Sequence, residues 1–337
     1  MSKPSKVQGR SAFNVQCSEF KSEIARAFAL LTLDLGLWTL DFSRRCYNAN
    51  AMKLALNGAT TMKASLAEDI RAASAAGFDC LEIWASKLRK FLTANTLQDL
   101  KRLLAEHGIE PYSINSIERI TFRDEPTRDN LLAECEELCE IASTINCPYI
   151  VVVPGPLPSD KTWADVLAES VSVLSELGQI GERYKVGLAF EFLGQTDCSV
   201  QTLEQASEIV ERVARENVGL VIDSFHFYAG GSQFESIDAL DPRKLFIFHI
   251  NDAEDLPREE LEDRHRLLPG LGILPLEEIV MRLGAIGYDR VTSVEIFRPE
   301  YWESDPIELA RAAHEAVVRV LRINRLTTED TEVAERF

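Results

Sequence analysis

The sequence predicts an α/β protein, and more specifically a (β/α)8 TIM barrel with an extra N-terminal segment. Three observations favour this fold. Short, apolar, β-rich runs alternate with longer amphipathic stretches from residue 52 onward, eight such runs occur, and they span about 275 residues, a usual size for this barrel. Continuous apolar strands separated by helices are typical of a parallel sheet covered on both faces.

The predicted strands are followed, in order along the chain, by helical or otherwise long connections. The strands are MKLALNG (52–58), FDCLEIW (78–84), EPYSINS (110–116), YIVVVPG (149–155), VGLAFEF (186–192), VGLVIDS (218–224), LFIFHIN (245–251) and VTSVEIF (291–297). Amphipathic segments such as 65–77 and 96–108 end in glycine, the usual helix stop. Two further helices are predicted over 129–143 and 305–323. A doubly wound sheet is the alternative fold, but the turn after the first strand, NGATTM (57–62), lacks a Gly-rich phosphate pattern.

Residues 1–51 do not follow this alternation. We expect an N-terminal accessory extension over 1–51, a barrel catalytic domain over 52–325 and a C-terminal tail over 326–337. The extension is either poorly ordered or a non-native start, because Met52 stands where the first strand begins. Translation from Met52 is therefore one hypothesis, which peptides from 1–50 in the native protein would exclude.

The composition restricts the class of partner. The chain of 337 residues carries a formal net charge of −18, and such an acidic surface repels nucleic-acid phosphates and anionic membranes. No apolar run is long enough to span a bilayer. Seven cysteines, an odd number without a CxxC pair, indicate reduced, intracellular usage. We therefore expect a cytoplasmic protein that acts on a small molecule and binds neither nucleic acid nor membrane.

Four consecutive strands end on a side chain that can bind a metal ion: Glu191, Asp223, His249 and Glu295. The C-terminal ends of barrel strands meet at one mouth, so three carboxylates would repel each other there unless a divalent cation joined them. Mostly oxygen donors with one nitrogen suit Mn²⁺, our first choice, and also Mg²⁺ or Co²⁺ better than a structural zinc. Each residue alone has an ordinary alternative role, as a loop acid, a helix N-cap or a core histidine. Their joint occurrence favours a metal site.

The motifs around these strand ends resemble a known family. They are AFEF (189–192), VIDSFHFYAGG (221–231), FHIND (248–252) and RLLPGLG (266–272) followed by VEIF (294–297), together with AGFDCLEIW (76–84). With them, residues 52–325 resemble the xylose isomerase-like TIM barrels of the sugar phosphate isomerase/epimerase superfamily. This superfamily includes ketose 3-epimerases, hydroxypyruvate isomerase, inosose isomerases and dehydratases, 3-dehydroshikimate dehydratase and endonuclease IV. One departure is Leu271, where relatives often carry an acidic residue.

The resemblance implies a role for each candidate residue. Glu191, Asp223, His249 and Glu295 match the four metal ligands of the family. His226 matches a histidine that touches substrate oxygens, and Arg266 an arginine that holds a substrate oxygen near the metal. Glu82, Trp84 and Asn57, at the ends of the second and first strands, are further expected substrate-binding residues. The simpler alternatives are a helix-start surface residue for His226, a solvated loop charge for Arg266 and a packing or salt-bridge role for Glu82.

The implied function is a metal-dependent sugar or polyol isomerase or epimerase, in which Glu191 and Glu295 exchange a proton with a hydroxy-ketone through an enediolate. A dehydratase of the inosose or 3-dehydroshikimate type is the alternative, and a non-catalytic sugar-binding barrel is an alternative of another class. Endonuclease IV chemistry is disfavoured, because it needs many histidines and this acidic chain has only five. The lack of a Gly-rich phosphate cradle favours an unphosphorylated substrate, and the analogy with dimeric barrels leaves a homodimer open.

Overall fold

The computed structural model describes residues 52–334, and the side chains from 52 to 322. The predicted accessory extension, 1–51, lies outside the described residues, as do the last three residues of the predicted tail. In the part of the chain that is described, no helix is long and apolar enough to cross a membrane.

The described chain forms the predicted barrel. Seven parallel strands follow in order, β1 (Lys53–Asn57), β2 (Cys80–Trp84), β3 (Glu110–Ile117), β4 (Tyr149–Val152), β5 (Gly187–Glu191), β6 (Val218–Asp223) and β7 (Leu245–Ile250). Two short strands, β8 (Asp252–Ala253) and β9 (Arg266–Leu267), pair antiparallel outside the barrel. The eighth barrel strand, β10 (Val291–Val294), pairs with both β7 and β1 and closes the sheet. The predicted α/β barrel with eight parallel strands is therefore confirmed.

Helices fill the connections between these strands. They are α1 (Leu66–Ala76), α2 (Ala85–Leu92), α3 (Leu97–His107), α4 (Glu125–Ile145), α5 (Trp163–Tyr184), α6 (Leu203–Val213), α7 (Ser224–Ala229), α8 (Phe234–Asp238), α9 (Leu276–Ala285) and α10 (Pro306–Ala334). The last helix was predicted to end at residue 323 but runs to Ala334. The β7–β10 connection contains three-residue 3-10 helices, which the strand and helix patterns of the sequence did not indicate.

Local sequence explains where the regular elements begin and end. Ser65 and Glu68 form a capping box at the start of α1, and Gly77 ends that helix with a φ of 91°. Thr96 and Asp99 cap α3 in the same way, and Gly108 ends it with a φ of 64°. Because these signals lie in the sequence itself, the ends of α1 and α3 were predictable to within one residue.

The barrel interior changes from apolar to polar along the strands. One layer consists of small or branched apolar side chains, including Ala55, Cys80, Val151, Ala189, Val221, Ile247 and Val291. Side chains alternate along a strand, so the residues two positions further point inward again. Asp223 and His249 lie two positions beyond Val221 and Ile247 and pair in register on β6 and β7. The strand period thus places the polar side chains together as the next layer, at the C-terminal mouth.

Candidate metal centre

Four buried side chains converge at the mouth of the barrel. Glu191, Asp223, His249 and Glu295 each offer a ligand atom, and these atoms all lie within 4.8 Å of one another. The Nδ1 atom of His249 lies 3.0 Å from Glu191 Oε1, 3.3 Å from Glu295 Oε2 and 4.0 Å from Asp223 Oδ2. The structure therefore brings together the four side chains that the strand ends predicted as metal ligands.

The electrostatics of this cluster fit a divalent cation. Burial raises the pKa of Glu191 to about 8, and the negative charge of Glu295 adds to this effect. Burial alone would lower the pKa of His249, but Glu295, Glu82 and Glu191 outweigh it and hold that pKa well above its usual range. Burial would likewise raise the pKa of Glu295, yet His249 and Arg266 keep it below its ordinary value. Three acidic side chains thus crowd one imidazole, and a doubly charged ion offsets the repulsion among them.

Glu82 lies beneath the cluster and contacts the far side of His249. Its Oε1 atom is 2.9 Å from Nε2 of His249, although the ring N–H is not well aligned for a hydrogen bond. The Ser113 hydroxyl donates to the other oxygen of Glu82. Burial would raise the pKa of Glu82, but the charge of His249 and the hydrogen bond from Ser113 outweigh it and lower that pKa. With Glu82 on the Nε2 side, Nδ1 of His249 faces the other three candidate ligands, and a carboxylate on the far nitrogen is common for metal-binding histidines.

Two amide side chains, one from the neighbouring strand β1 and one from β3, hold Glu295. Asn57 and Asn115 each donate a hydrogen bond of 2.9 Å from Nδ2 to Oε1 of Glu295. Asn57 also donates to Glu82 at 3.2 Å. In the same way, Asn251 donates to Oδ2 of Asp223 at 2.7 Å. Glu295 and Asp223 thus each accept a hydrogen bond from at least one neutral amide.

A cavity of about 330 Å³ opens above the cluster. Its wall includes Glu191 and Glu295, and three of the five predicted substrate-binding residues: Trp84, His226 and Arg266. The other two, Asn57 and Glu82, do not line it, because both are fully buried below the ligands. Their described side-chain contacts include Glu295 for Asn57 and His249 for Glu82.

Arg266 is the cation nearest the cluster, and its side chain is only 1% exposed. Its Nη1 atom donates to Asp223 Oδ2 at 2.8 Å and to Glu295 Oε2 at 3.1 Å. The guanidinium lies between the rings of Phe225 and Phe297, whose centroids are 4.9 and 5.1 Å away. Arg266 is therefore part of the buried site and not a solvated loop charge.

His226 sits beside Arg266 with a fixed ring orientation. The backbone N–H of Gly194 donates to Nδ1 at 3.1 Å, and Arg266 Nη2 lies 3.0 Å from Nε2. Burial lowers the pKa of His226, so the ring is neutral and has one acceptor nitrogen for these two donors. At most one of these two contacts is therefore a hydrogen bond to a ring lone pair.

Several residues of the site were not predicted from the sequence. Asn115 lies inside β3, and its uncharged side chain does not mark a strand end. Its signal is weaker: it lies two positions after Ser113, so the two side chains point to the same face of the strand. Asp263 and Gln195 lie on connections whose geometry no local pattern specifies. Asp263 accepts hydrogen bonds from Arg266, and Gln195 donates to Asp263 at 3.0 Å.

Comparison with known proteins shows the family of this chain. The family model described as "Xylose isomerase-like TIM barrel" matches residues 70–320, so the chain belongs to that family. Inosose isomerase of Bacillus velezensis is 39% identical over 272 residues, which cover 79% of this chain and 97% of that protein. 3-Dehydroshikimate dehydratase of Pseudomonas aeruginosa is 29% identical over 247 residues, covering 70% of this chain but 37% of that protein.

One solved structure has the same sequence identity to this chain as the inosose isomerase of Bacillus velezensis. It is described as a crystal structure of IOLI protein with a binding zinc atom, and it superposes with a TM-score of 0.78 at 39% identity. The match covers 80% of this chain and 98% of that one. With such identity along almost the full length of isomerases, the chain is an isomerase-type enzyme of this family.

Proposed function

We propose that the protein isomerises an inosose, a cyclic polyol ketone, by moving the carbonyl group to the neighbouring ring carbon. The observation that carries this proposal is the buried cluster of Glu191, Asp223, His249 and Glu295 beneath a cavity of about 330 Å³. The 39% identity to inosose isomerases over most of the chain supports the choice of substrate. A hydroxy-ketone offers adjacent oxygens to such a site.

The four ligands would hold a divalent cation. When bound, that cation polarises the substrate carbonyl and stabilises negative charge that develops on its oxygen. Manganese is the ion first expected for this donor set, and the zinc named for the similar structure makes zinc the second to test. Arg266 and His226 supply N–H groups at the same wall of the cavity, where they would hold a substrate oxygen.

Glu191 is the better placed of the two glutamates to remove the carbon-bound proton. Within the described part of the chain, the side chain of Glu191 is hydrogen-bonded to His249. The oxygens of Glu295, in contrast, accept hydrogen bonds from Asn57, Asn115 and Arg266. Removal of the proton gives an enediolate, and its return to the neighbouring carbon completes the isomerisation. The hydroxyl proton passes between the two substrate oxygens, so the product differs only in the position of its carbonyl group. Return by Glu295 to the opposite face of the first carbon would instead give an epimer.

Solvent exchange tests this function. The protein is loaded with Mg²⁺, which permits NMR, and incubated in D₂O with a panel of inososes and ketoses, with Glu295→Gln as the control. We expect deuterium to enter an inosose, together with a new isomer, only with metal and intact Glu295. Exchange into ketoses alone would make the protein an epimerase of open-chain sugars.

The dehydratase alternative has support of its own in the similarity to 3-dehydroshikimate dehydratase. Absence of exchange across the panel, with the cation shown to be bound, would favour that activity and contradict the isomerase. Absence of both exchange and cation binding would instead favour a non-catalytic sugar-binding barrel.

A further inference from the structure

Asp263 is the acidic residue that contacts the outer edge of Arg266. Its Oδ1 atom accepts hydrogen bonds from Nε at 3.1 Å and from Nη2 at 2.9 Å. Its Oδ2 atom accepts a hydrogen bond of 3.0 Å from Nε2 of Gln195, on the connection after β5. Both oxygens of Asp263 are therefore fixed, although its side chain is 41% exposed at the rim of the cavity.

The inner edge of Arg266 contacts the oxygens that a cation would use. Nη1 donates to Asp223 Oδ2 and Glu295 Oε2, and these same two oxygens face Nδ1 of His249. A guanidinium and a metal ion at shared carboxylates repel each other, and each weakens the hold of the carboxylates on the other. The more strongly Arg266 interacts with Asp223 and Glu295, the weaker the binding of a cation to these two carboxylates should be.

We propose that Asp263 is a positioning residue, which holds the outer edge of the Arg266 guanidinium and offsets its charge, so that Nη1 competes less strongly with a divalent cation for Asp223 and Glu295. The proposal rests on the proposed function only in taking the cluster as a metal site. Without the carboxylate at position 263, the anionic partners of Arg266 are the ligands themselves. Residues that orient metal ligands typically change metal affinity or activity 10- to 100-fold when replaced.

The test measures cation binding by calorimetry on the full-length apoprotein, with Mn²⁺ and Zn²⁺ as the probes. Asp263→Asn keeps the shape and a hydrogen-bond acceptor but removes the charge, and should raise the Kd about 10-fold or more. Asp197→Asn is the matched control, because Asp197 lines the same cavity without a recorded contact to Arg266. Its Kd should stay within about twofold of the wild type, the usual scatter for independent sites.

A double-mutant cycle separates the route through Arg266 from a general loss of negative charge. In an Arg266→Gln background, Asp263→Asn should change the Kd by no more than about twofold. An equal loss in both backgrounds, an unchanged Kd in Asp263→Asn, or an equal loss in Asp197→Asn would each overturn the proposal. Circular dichroism checks folding, and Asp263→Glu, which keeps the charge, should bind more tightly than Asp263→Asn and would overturn the proposal if it did not.

Activity gives a second readout that a purely structural role would not move. At saturating metal, Asp263→Asn should mainly raise KM, since Arg266 then binds the substrate oxygen less well, with a smaller change in kcat. If the wild type does not act on inososes while Asp263→Asn still weakens cation binding, the proposed function fails and the role of Asp263 stands. If the wild type isomerises inososes but Asp263→Asn binds metal normally, the proposed function stands and the role of Asp263 fails.

Discussion

The two halves of the barrel contribute different chemistry to the same site. Strands β5, β6, β7 and β10, the ligand half, lead to the side chains that converge at the mouth: Glu191, Asp223, His249 and Glu295. Strands β1, β2 and β3, with the apolar β4, form the supporting half. They present Asn57, Glu82, Ser113 and Asn115, whose contacts are with the ligands and with each other.

This difference has a simple electrostatic origin. Acidic side chains around the full circle would leave the centre with more negative charge than one cation offsets. Neutral amides from β1 and β3 instead donate to Glu295 and fix its orientation, and one buried acid, Glu82, contacts His249. One half of the barrel therefore carries the candidate metal ligands, and the other half carries side chains that orient them.

The largest effect should follow from removing the proton acceptor in the ligand half. Glu191→Gln preserves shape but not basicity, and should lower kcat by on the order of 10²- to 10⁴-fold, the usual contribution of a general base. Isomer formation and solvent exchange measured at saturating metal check this. Glu118→Gln, on the rim of the same cavity, is the control and should remain active. A Glu191→Gln enzyme within a few-fold of the wild type would move the proton transfer to Glu295.

The second effect is the stabilisation of the folded protein by a cation bound at the ligand half. A cation that binds only the folded state should raise the free energy of unfolding by about 2.7 kcal/mol at 100 times its Kd. Urea unfolding with and without Mn²⁺ measures this change. The His249→Ala variant removes one ligand and should lose most of the increase. Equal stabilisation of wild type and variant would mean that the cation binds elsewhere on this acidic chain.

A smaller effect should follow from breaking the supporting half. Asn57→Ala removes one of two amide donors to Oε1 of Glu295, and should lower metal affinity or activity about 10- to 100-fold, as for other residues that orient ligands. Asn115→Ala, the matched variant, removes the other donor to the same oxygen and should act similarly. The double variant should lose less than the product of the two, because both act on one carboxylate. Strict additivity would show that the two amides act independently of each other and would contradict a shared action on one carboxylate.

The sequence allowed the ligand half to be predicted better than the supporting half. Charged or ionisable residues at the ends of four apolar runs stand out, because an acid is costly to bury unless it has a partner. Asn115 carries no such signal, and its contact with Glu295 joins residues 180 positions apart in the chain. Glu82 and Asn57 were recognised as site residues, but their depth in the barrel, which decides that they contact ligands, depends on the register between strands.

The connections beyond the strands were the least predictable part. Gln195 and Asp263 meet only because two long connections fold over the same mouth. Capping boxes and glycines determine helix ends locally, whereas a rim contact depends on the whole path of a loop. The strand pattern therefore predicted the place of the cluster and its four candidate ligands, but not the residues that surround it.

The smallest effect should come from Leu271, the position where relatives often carry an acid. Its side chain is 49% exposed, and the loop around it is held by Asp252, which accepts hydrogen bonds of 2.9 Å from the backbone N–H groups of Gly270 and Leu274. Leu271→Asp leaves those bonds in place, so it should change the stability by less than about 0.5 kcal/mol. Unfolding and kcat/KM measurements on Leu271→Asp check this, with Asp252→Ala as the variant that should destabilise the loop. A large change in kcat/KM for Leu271→Asp would show that this loop contacts the substrate, and that a third region belongs beside the two halves of the barrel.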